Sequence, residues 1–452
     1  MLSAFFNPQS VAVIGANDRP GSVGLGVCRN LAAGESQRKI FFVNPNLPNV
    51  LGRETYTSIL AIPQVIDLAV IAVPFQFVLD VARQCAQKKV KGVVVISSGF
   101  SEMGEEGEKR QEELKQILAQ NQIPLLGPNC LGLIIPHLQL NVSFSPATPK
   151  EGDMAFLSQS GALIDSIIDK SLAEWYGFSA LISYGNEADL DISDLLGALG
   201  DDPKTKVIAI YLESIKNGQK FIEIASKVTK KKPVVVLKGG QTDLGQRAAV
   251  SHTAALAGVA EIYSAAFEKA GIFEVETIEE LLYVSLSLGW SQPCENDVAV
   301  LTNGGAAGVL TADWCSRLGI NLPKLTVKTI DKLLKSPVIN QSFSRSNPLD
   351  ILGDALSDRY EVALNALLEQ KDVHGLIVIQ TIQVMTEIEK NSRVIISAAH
   401  RFQKPILSLI LGGQAAGEGI KILSQNKISC FTEPKTAILA LKALIVRNSL
   451  AA

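Results

Sequence analysis

Nowhere does the sequence hold an uncharged apolar run approaching the ~20 residues that a membrane-spanning helix requires, so no membrane span is expected. Its first residues carry no basic stretch leading into a long apolar one, and no secretory signal is read there. Cysteine is sparse and scattered. Cys28, Cys85, Cys130, Cys294, Cys315 and Cys430 form no C-x-x-C pair, which argues against a zinc site or a disulfide framework and for a reducing, cytoplasmic home. No metal-ligating set is read in the chain. Charge is also in short supply: 19 % of residues are charged and the net charge is −3. The one obvious basic run, Lys230, Lys231 and Lys232, reads as a solvated helix end, and nucleic acid is not expected as a partner. There is no G-x-x-x-x-G-K-[ST] loop to hold a nucleoside triphosphate.

What the chain has in quantity is apolar residues and glycine. Hydrophobic residues make up 47 % of its 452, with 35 Gly and 19 Pro, the balance of a soluble α/β protein whose strands are buried on both faces. At roughly 150 residues per domain, the length suggests about three domains. Short apolar runs alternate with amphipathic stretches, the βαβ pattern of a parallel sheet. Strands are expected at 11–14, 39–43, 68–73 and 93–96, with helices at 78–88 and 105–119. A Pro/Ser/Thr-rich linker follows at 143–149. A second unit opens at 154–157 and continues through strands at 180–184, 207–211 and 234–238. A third opens at 298–301, after the boundary-like stretch 291–296, with strands at 376–380 and 406–411. The expected domains are 1–142, 150–290 and 296–450.

The second and third units open alike. MAFLSQSG at 154–161 aligns without a gap with VAVLTNGG at 298–305: a strand, a hydroxyl residue, an amide residue, small residues, then a helix. Small residues let a ligand approach the backbone, and the free N–H groups of a helix start, with about half a positive charge from the dipole, favour an anion. Any doubly wound domain makes tight turns here, but two matched hydroxyl-rich openings in one chain favour the anion-site reading. The candidate phosphate set is Ser158, Gln159, Ser160, Gly161 and Ala162 with Asn303, Gly304 and Gly305. The first unit opens differently, on Gly15, Ala16, Asn17, Asp18, Gly21 and Gly24. Asn17 sits where G-x-G-x-x-G needs its second glycine. The second strand ends in Asn44, Pro45 and Asn46, with no acidic residue for a ribose 2′-hydroxyl. A nicotinamide dinucleotide is therefore disfavoured, and another nucleotide-tailed, phosphate-bearing ligand fits better.

Of the four histidines, His252 stands out by context. It lies in a polar, glycine-containing loop after the expected strand 234–238 and before a helix, at the edge where open α/β sheets place ligands. Glu213 closes the preceding apolar strand and is expected at the same rim. A carboxylate accepting one ring N–H would fix the tautomer and leave the other nitrogen free as a nucleophile. The plainer possibilities are a structural loop histidine and, for Glu213, a charge at the start of the next helix.

The motifs that recur along the chain are GAND at 15–18 with Gly21 and Gly24, NPN at 44–46, Val73 with Pro74, SSGF at 97–100 and GPNCLG at 127–132. Then come LSQSGA at 157–162, YGN at 184–186, YLES at 211–214, KPVVVLK at 232–238, SHT at 251–253 and NPLD at 347–350. In this order, along nearly the whole chain, they resemble the alpha subunit of ADP-forming acetate–CoA ligase, in the succinyl-CoA synthetase superfamily. The resemblance implies an α/β fold of three domains: a CoA-binding Rossmann-like domain followed by two flavodoxin-like parallel-sheet ligase domains. It implies that His252 carries a phosphoryl group between an acyl phosphate and a nucleotide, that Glu213 steadies it, and that the two helix starts hold the phosphate. CoA, as substrate, would lie against the Gly15–Gly24 loop, Asn44, Pro45, Asn46, Val73, Pro74, Ser98, Gly99 and Asn129, with Cys130 near its thiol end.

Because no nucleotide-binding loop or ATP-grasp-like domain is left to place, a separate ATP-grasp beta subunit is expected to bring ADP or ATP with Mg2+, making a hetero-oligomer. The expected reaction interconverts acyl-CoA, ADP and phosphate with a carboxylic acid, CoA and ATP. The chain departs from the family pattern at three places. Ala254 stands where a glycine usually follows Ser-His-Thr, Ala306 and Ala307 replace a glycine and a proline of the third-domain loop, and Glu433-Pro434 inverts the usual order. The alternative is a non-catalytic CoA- or acyl-CoA-binding scaffold or regulatory protein. Only those departures support it, and retention of His252 and Glu213 opposes it.

Overall fold

Val11, Ala12 and Val13 are wholly buried, as are Leu68 to Ile71 and Val93 to Val95. Such runs are what a parallel sheet covered on both faces requires. In the computed structural model, which describes residues 2–247 and 260–451, they form the middle of a five-stranded sheet. Its order is Lys39–Val43, Ser10–Ile14, Leu68–Ile71, Gly92–Val95 and Leu125–Leu126, all parallel. Strand order reverses between Ser10–Ile14 and Leu68–Ile71, so a crevice opens beyond their carboxyl ends, where ligands of open α/β sheets bind.

The second sheet has seven strands, in the order Phe273–Val275, Val234–Lys238, Val207–Leu212, Lys150–Ser158, Gly177–Ser183, Gly132–Ile135 and Leu140–Ser143. Its last two strands form an antiparallel hairpin that pairs Ile134 with Leu181. The hairpin precedes the 143–149 linker in sequence, yet it completes the second sheet. All eight of its strand residues are buried, and one apolar cluster runs from Val27 and Leu31 through Leu133 and Val142 to Leu157 and Phe221. The first two sheets accordingly share a single compact unit, Met1–Ala173 with Gly177–Glu274.

The second unit, Glu174–Tyr176 with Val275–Ala452, holds the third sheet. Its order is Leu349–Asp350, Val298–Thr302, Gly375–Thr381, Ile406–Leu411 and Cys430–Phe431, all parallel. The helix Ile278–Trp290 lies within this second unit. Leu281, Leu282, Val284 and Leu286 are buried there, and the buried Glu280 accepts a 2.8 Å ion pair from Lys435 on the final helix Pro434–Ala451. A helix with that much apolar surface goes where it is covered, whatever the sequence on either side suggests. Among the described residues no helix is long and apolar enough to cross a membrane.

Candidate functional site

The first crevice is shaped by its own loop. Gly15 has φ +95°, and a Cβ on it would fall 2.3 Å from the Ala72 carbonyl oxygen, so only glycine fits there. Asn17 donates to the Gly15 carbonyl at 3.1 Å and accepts from the Arg19 N–H at 3.1 Å and from the Ser22 hydroxyl. Ser22 in turn caps the helix Val23–Ala33 by accepting from the Leu25 N–H at 3.3 Å. Asn44 donates to the Ala16 carbonyl at 2.7 Å and accepts from the Asn46 N–H at 2.8 Å, joining two loops. Its amide serves the fold and leaves the loop backbone to face the crevice.

The crevice is a cavity of about 1230 Å³. Of the residues read as CoA-binding, its wall includes Gly15, Asn17, Gly24, Asn44, Pro45, Asn46, Val73, Pro74, Ser98, Asn129 and Cys130. Ala16, Asp18, Gly21 and Gly99 are not on it; Ala16 lies wholly buried beneath the loop. The same wall holds Gly161 and Ala162 of the phosphate set, so two groups of residues read separately in the sequence meet in one cavity. Sequence reasoning missed Arg19, Phe75, Phe77, Phe144 and Asp165, which also line it. Arg19 and Asp165 could have been found by position, one inside the glycine loop and the other four residues beyond Gly161. Cys130 is a wall and not a nucleophile: its Sγ donates to the Val95 carbonyl at 3.4 Å, and burial pushes its thiol up to about 12.

The matched openings of the second and third sheets share one hydrogen-bond pattern. Ser158 Oγ accepts from the Ser160 N–H at 3.0 Å and donates to the Ser160 carbonyl at 2.7 Å. Thr302 Oγ1 accepts from the Gly304 N–H at 3.0 Å and donates to the Gly304 carbonyl at 2.9 Å. Each hydroxyl thus stands in for a backbone turn and aims the next helix. The amide residue that follows clamps across the switch point. Gln159 accepts from the N–H of Glu213 and, at 3.1 Å, of Ser214. Asn303 accepts from the Thr381 N–H at 2.7 Å and donates to the Thr381 carbonyl at 3.0 Å. Both amide side chains are committed to the rim, which leaves backbone N–H groups as the candidate donors to an anion. Helices Gly161–Glu174 and Gly305–Arg317 begin there, neither with an acidic residue in its first turn. Ala306 and Ala307 leave the second of these starts formed, with Ala307 buried.

Glu213 follows the strand Val207–Leu212 and is 5 % exposed. The next helix is Gly218–Thr229, capped by Asn217 through the Lys220 N–H at 3.0 Å, so Glu213 is not a helix-start charge. It shares the rim with Tyr211 and Lys238. Burial, and then Glu213, pushes the Tyr211 hydroxyl up to about 12. Burial lowers the Lys238 ammonium, with Glu213 opposing, and its Nζ sits 4.6 Å from the Tyr263 ring centre. Lys238 was legible as the end of its strand but was not read as part of the site. His252, with the rest of residues 248–259, lies outside the described residues.

The model of a CoA binding domain matches residues 9–136, and that of a succinyl-CoA ligase like flavodoxin domain matches residues 151–288. With the cavity that joins them, these define a CoA-handling chain of the succinyl-CoA ligase kind. The alpha subunit of ADP-forming acetate–CoA ligase II of Pyrococcus furiosus is 40 % identical over 450 residues, covering 98 % of this chain and 97 % of its own. ADP-forming acetate–CoA ligase I of Archaeoglobus fulgidus is 38 % identical over 443 residues, which are 98 % of this chain and 63 % of that protein. The solved dinucleotide forming acetyl-coenzyme A synthetase 1 of Ca. Korarchaeum cryptofilum, in complex with phosphate and ADP, matches with a TM-score of 0.94 at 35 % identity. That match covers 100 % of this chain and 97 % of the other. The chain belongs to the family of ADP-forming acetate–CoA ligase alpha subunits.

Proposed function

We propose that the chain interconverts acyl-CoA, ADP and phosphate with a carboxylic acid, CoA and ATP, as the alpha subunit of a ligase of the acetate–CoA type. One observation carries the reading: the cavity beyond the first sheet is shared by the glycine loop, by Cys130 and by the helix start at Gly161. Such a cavity suits a long thiol-tailed nucleotide at one end and a phosphate at the other. Phosphate held at the helix start attacks the thioester, the C–S bond breaks, and acyl phosphate and CoA form. The imidazole of His252 then takes the phosphoryl group and the carboxylate leaves. Backbone N–H groups aimed at the transferring phosphoryl stabilise charge as it builds, with no reorganisation at the moment of reaction. Glu213 orients the ring through its other nitrogen. A charge-assisted hydrogen bond of that kind is worth roughly 1.5–3 kcal/mol, about ten- to a hundredfold.

The nucleotide site, with Mg2+, is assigned to an ATP-grasp beta subunit in a cytoplasmic hetero-oligomer. The lack of a G-x-x-x-x-G-K-[ST] loop supports this. So does the alpha-subunit name of the Pyrococcus relative, as does the Archaeoglobus relative, of which this chain matches only 63 %.

The test uses the chain with its partner and labelled ATP, or acyl-CoA with labelled phosphate. Acid-labile, base-stable label should enter the chain and vanish in His252→Asn. Glu213→Gln should lower turnover and phosphohistidine yield about ten- to a hundredfold at an unchanged melting temperature. Full labelling of His252→Asn would sink the assignment, and unchanged turnover of Glu213→Gln would remove that residue from the site.

A further inference from the structure

We propose that Asp165 is the acid–base residue of the thioester step, taking the CoA thiol proton as sulfur attacks the acyl phosphate and returning it when phosphate attacks the thioester. The inference rests on the function proposed above and adds a residue to it.

Asp165 lies on the helix Gly161–Glu174, four residues after its first, so it shares a face with Gly161 about one turn, or roughly 6 Å, further along the axis. Helical side chains lean toward the N-terminus, which carries the carboxyl back toward the helix start. Gly161, Asp165 and Cys130 line the same cavity. An acyl phosphate held at that start and a thiol arriving past Cys130 would meet within reach of the Asp165 carboxyl.

Its Oδ1 is buried and has no hydrogen-bond partner. A buried acceptor left unsatisfied is costly, and in a native protein it calls for an explanation, of which a catalytic role is one. The helix dipole should hold a carboxyl near its start low. Here burial outweighs it and raises the carboxyl above its ordinary value, with the Ser145 hydroxyl opposing. A base raised toward working pH transfers protons more efficiently than an ordinary carboxylate. The other titratable or charged groups among the described residues of the cavity wall are Arg19, Asp80 and Cys130. Arg19 is a cation, Asp80 is paired with Arg83 at 2.7 Å, and Cys130 is held as a neutral thiol. Of the carboxyl groups on that wall, only Asp165 lies on the helix that starts at Gly161.

The step balances. A sulfur lone pair forms the C–S bond, and the bond from the acyl carbon to the phosphate oxygen breaks with its electron pair going to that oxygen. The thiol proton passes to Asp165 and from it to the released phosphate. In reverse, phosphate gives its proton to Asp165, and the departing sulfur receives it.

The experiment follows acetyl-CoA formation from acetyl phosphate and CoA, across pH, with the chain and its partner. Wild type, Asp165→Asn and Asp165→Glu are compared, with phosphate labelling from ATP and calorimetric CoA affinity measured on each. Asp165→Asn should lose about a hundredfold or more in rate and should lose the acid limb, along which the wild-type rate falls as Asp165 protonates. Labelling and CoA affinity should stay within about twofold, and Asp165→Glu should recover part of the rate. Wild-type rate or a retained acid limb in Asp165→Asn overturns the proposal. So does loss of labelling or of CoA affinity, either of which marks a structural or binding role. Absence of acetyl-CoA formation and of labelling in the wild type itself overturns the proposed function, and this inference with it.

Discussion

Glu187 illustrates how far a single residue can depart from what its type suggests. It is 4 % exposed, takes a left-handed φ of 51°, and accepts from the Ile192 N–H at 3.0 Å through Oε1, while Oε2 is buried with no partner. Burial pushes its carboxyl from 4.5 up to about 7, with Lys216 opposing. Lys216 itself donates to the Asn186 and Glu187 carbonyls at 2.6 and 2.8 Å. Between those two values the folded chain keeps a proton that the unfolded chain releases. The stability this group contributes is therefore complete below about 4.5 and is lost as the pH rises through about 7. Glu187→Gln should remove that slope and stabilise the first unit at pH 8, by an amount on the order of 3 kcal/mol. Urea unfolding of both proteins at pH 5 and pH 8 checks this, and equal slopes would reject it. The sequence marked Glu213 because it ends an apolar strand, whereas nothing local distinguished Glu187 or Lys216. Their character comes from neighbours far along the chain.

The two matched openings were legible as elements, because their hydroxyl and amide residues follow apolar strands at the same spacing. Their hydrogen bonds were half legible. A hydroxyl that closes its own turn is a local event, so Ser158 and Thr302 could be read from the order of residues alone. The amides of Gln159 and Asn303 reach strands more than fifty residues away, and their role as clamps could not. Thr302→Val keeps the shape and leaves the Gly304 N–H without its acceptor. It should cost the second unit about 1–3 kcal/mol in denaturant unfolding, with CoA affinity unchanged because the cavity lies in the first unit. A variant as stable as wild type would show the hydroxyl turn to be dispensable. Ile278–Trp290 makes the complementary point. The pairing of its Glu280 with Lys435, 155 residues further on, and the burial of its leucines tie it to the final helix, a contact that no local signal announces.

For the whole molecule, the two units imply separable behaviour. At CoA concentrations about a hundredfold above its dissociation constant, binding should stabilise the first unit by about 2.7 kcal/mol and raise its transition by about 5 °C. The transition of the second unit should stay where it is in scanning calorimetry. If both rise together the units unfold as one; if neither rises, the cavity is not the CoA site. By itself the sequence determined three mainly parallel sheets with glycine and hydroxyl turns at their carboxyl edges. Strand periodicity, two-sided burial and the φ freedom of Gly15 are encoded within a few residues. The tertiary structure alone decided that the Gly15 loop, Cys130 and the helix from Gly161 to Asp165 line one cavity. The Gly15 loop stands more than a hundred residues before the other two segments. They meet because the hairpin from Gly132 to Ser143 buries its apolar residues in the second sheet, making the first two domains one body.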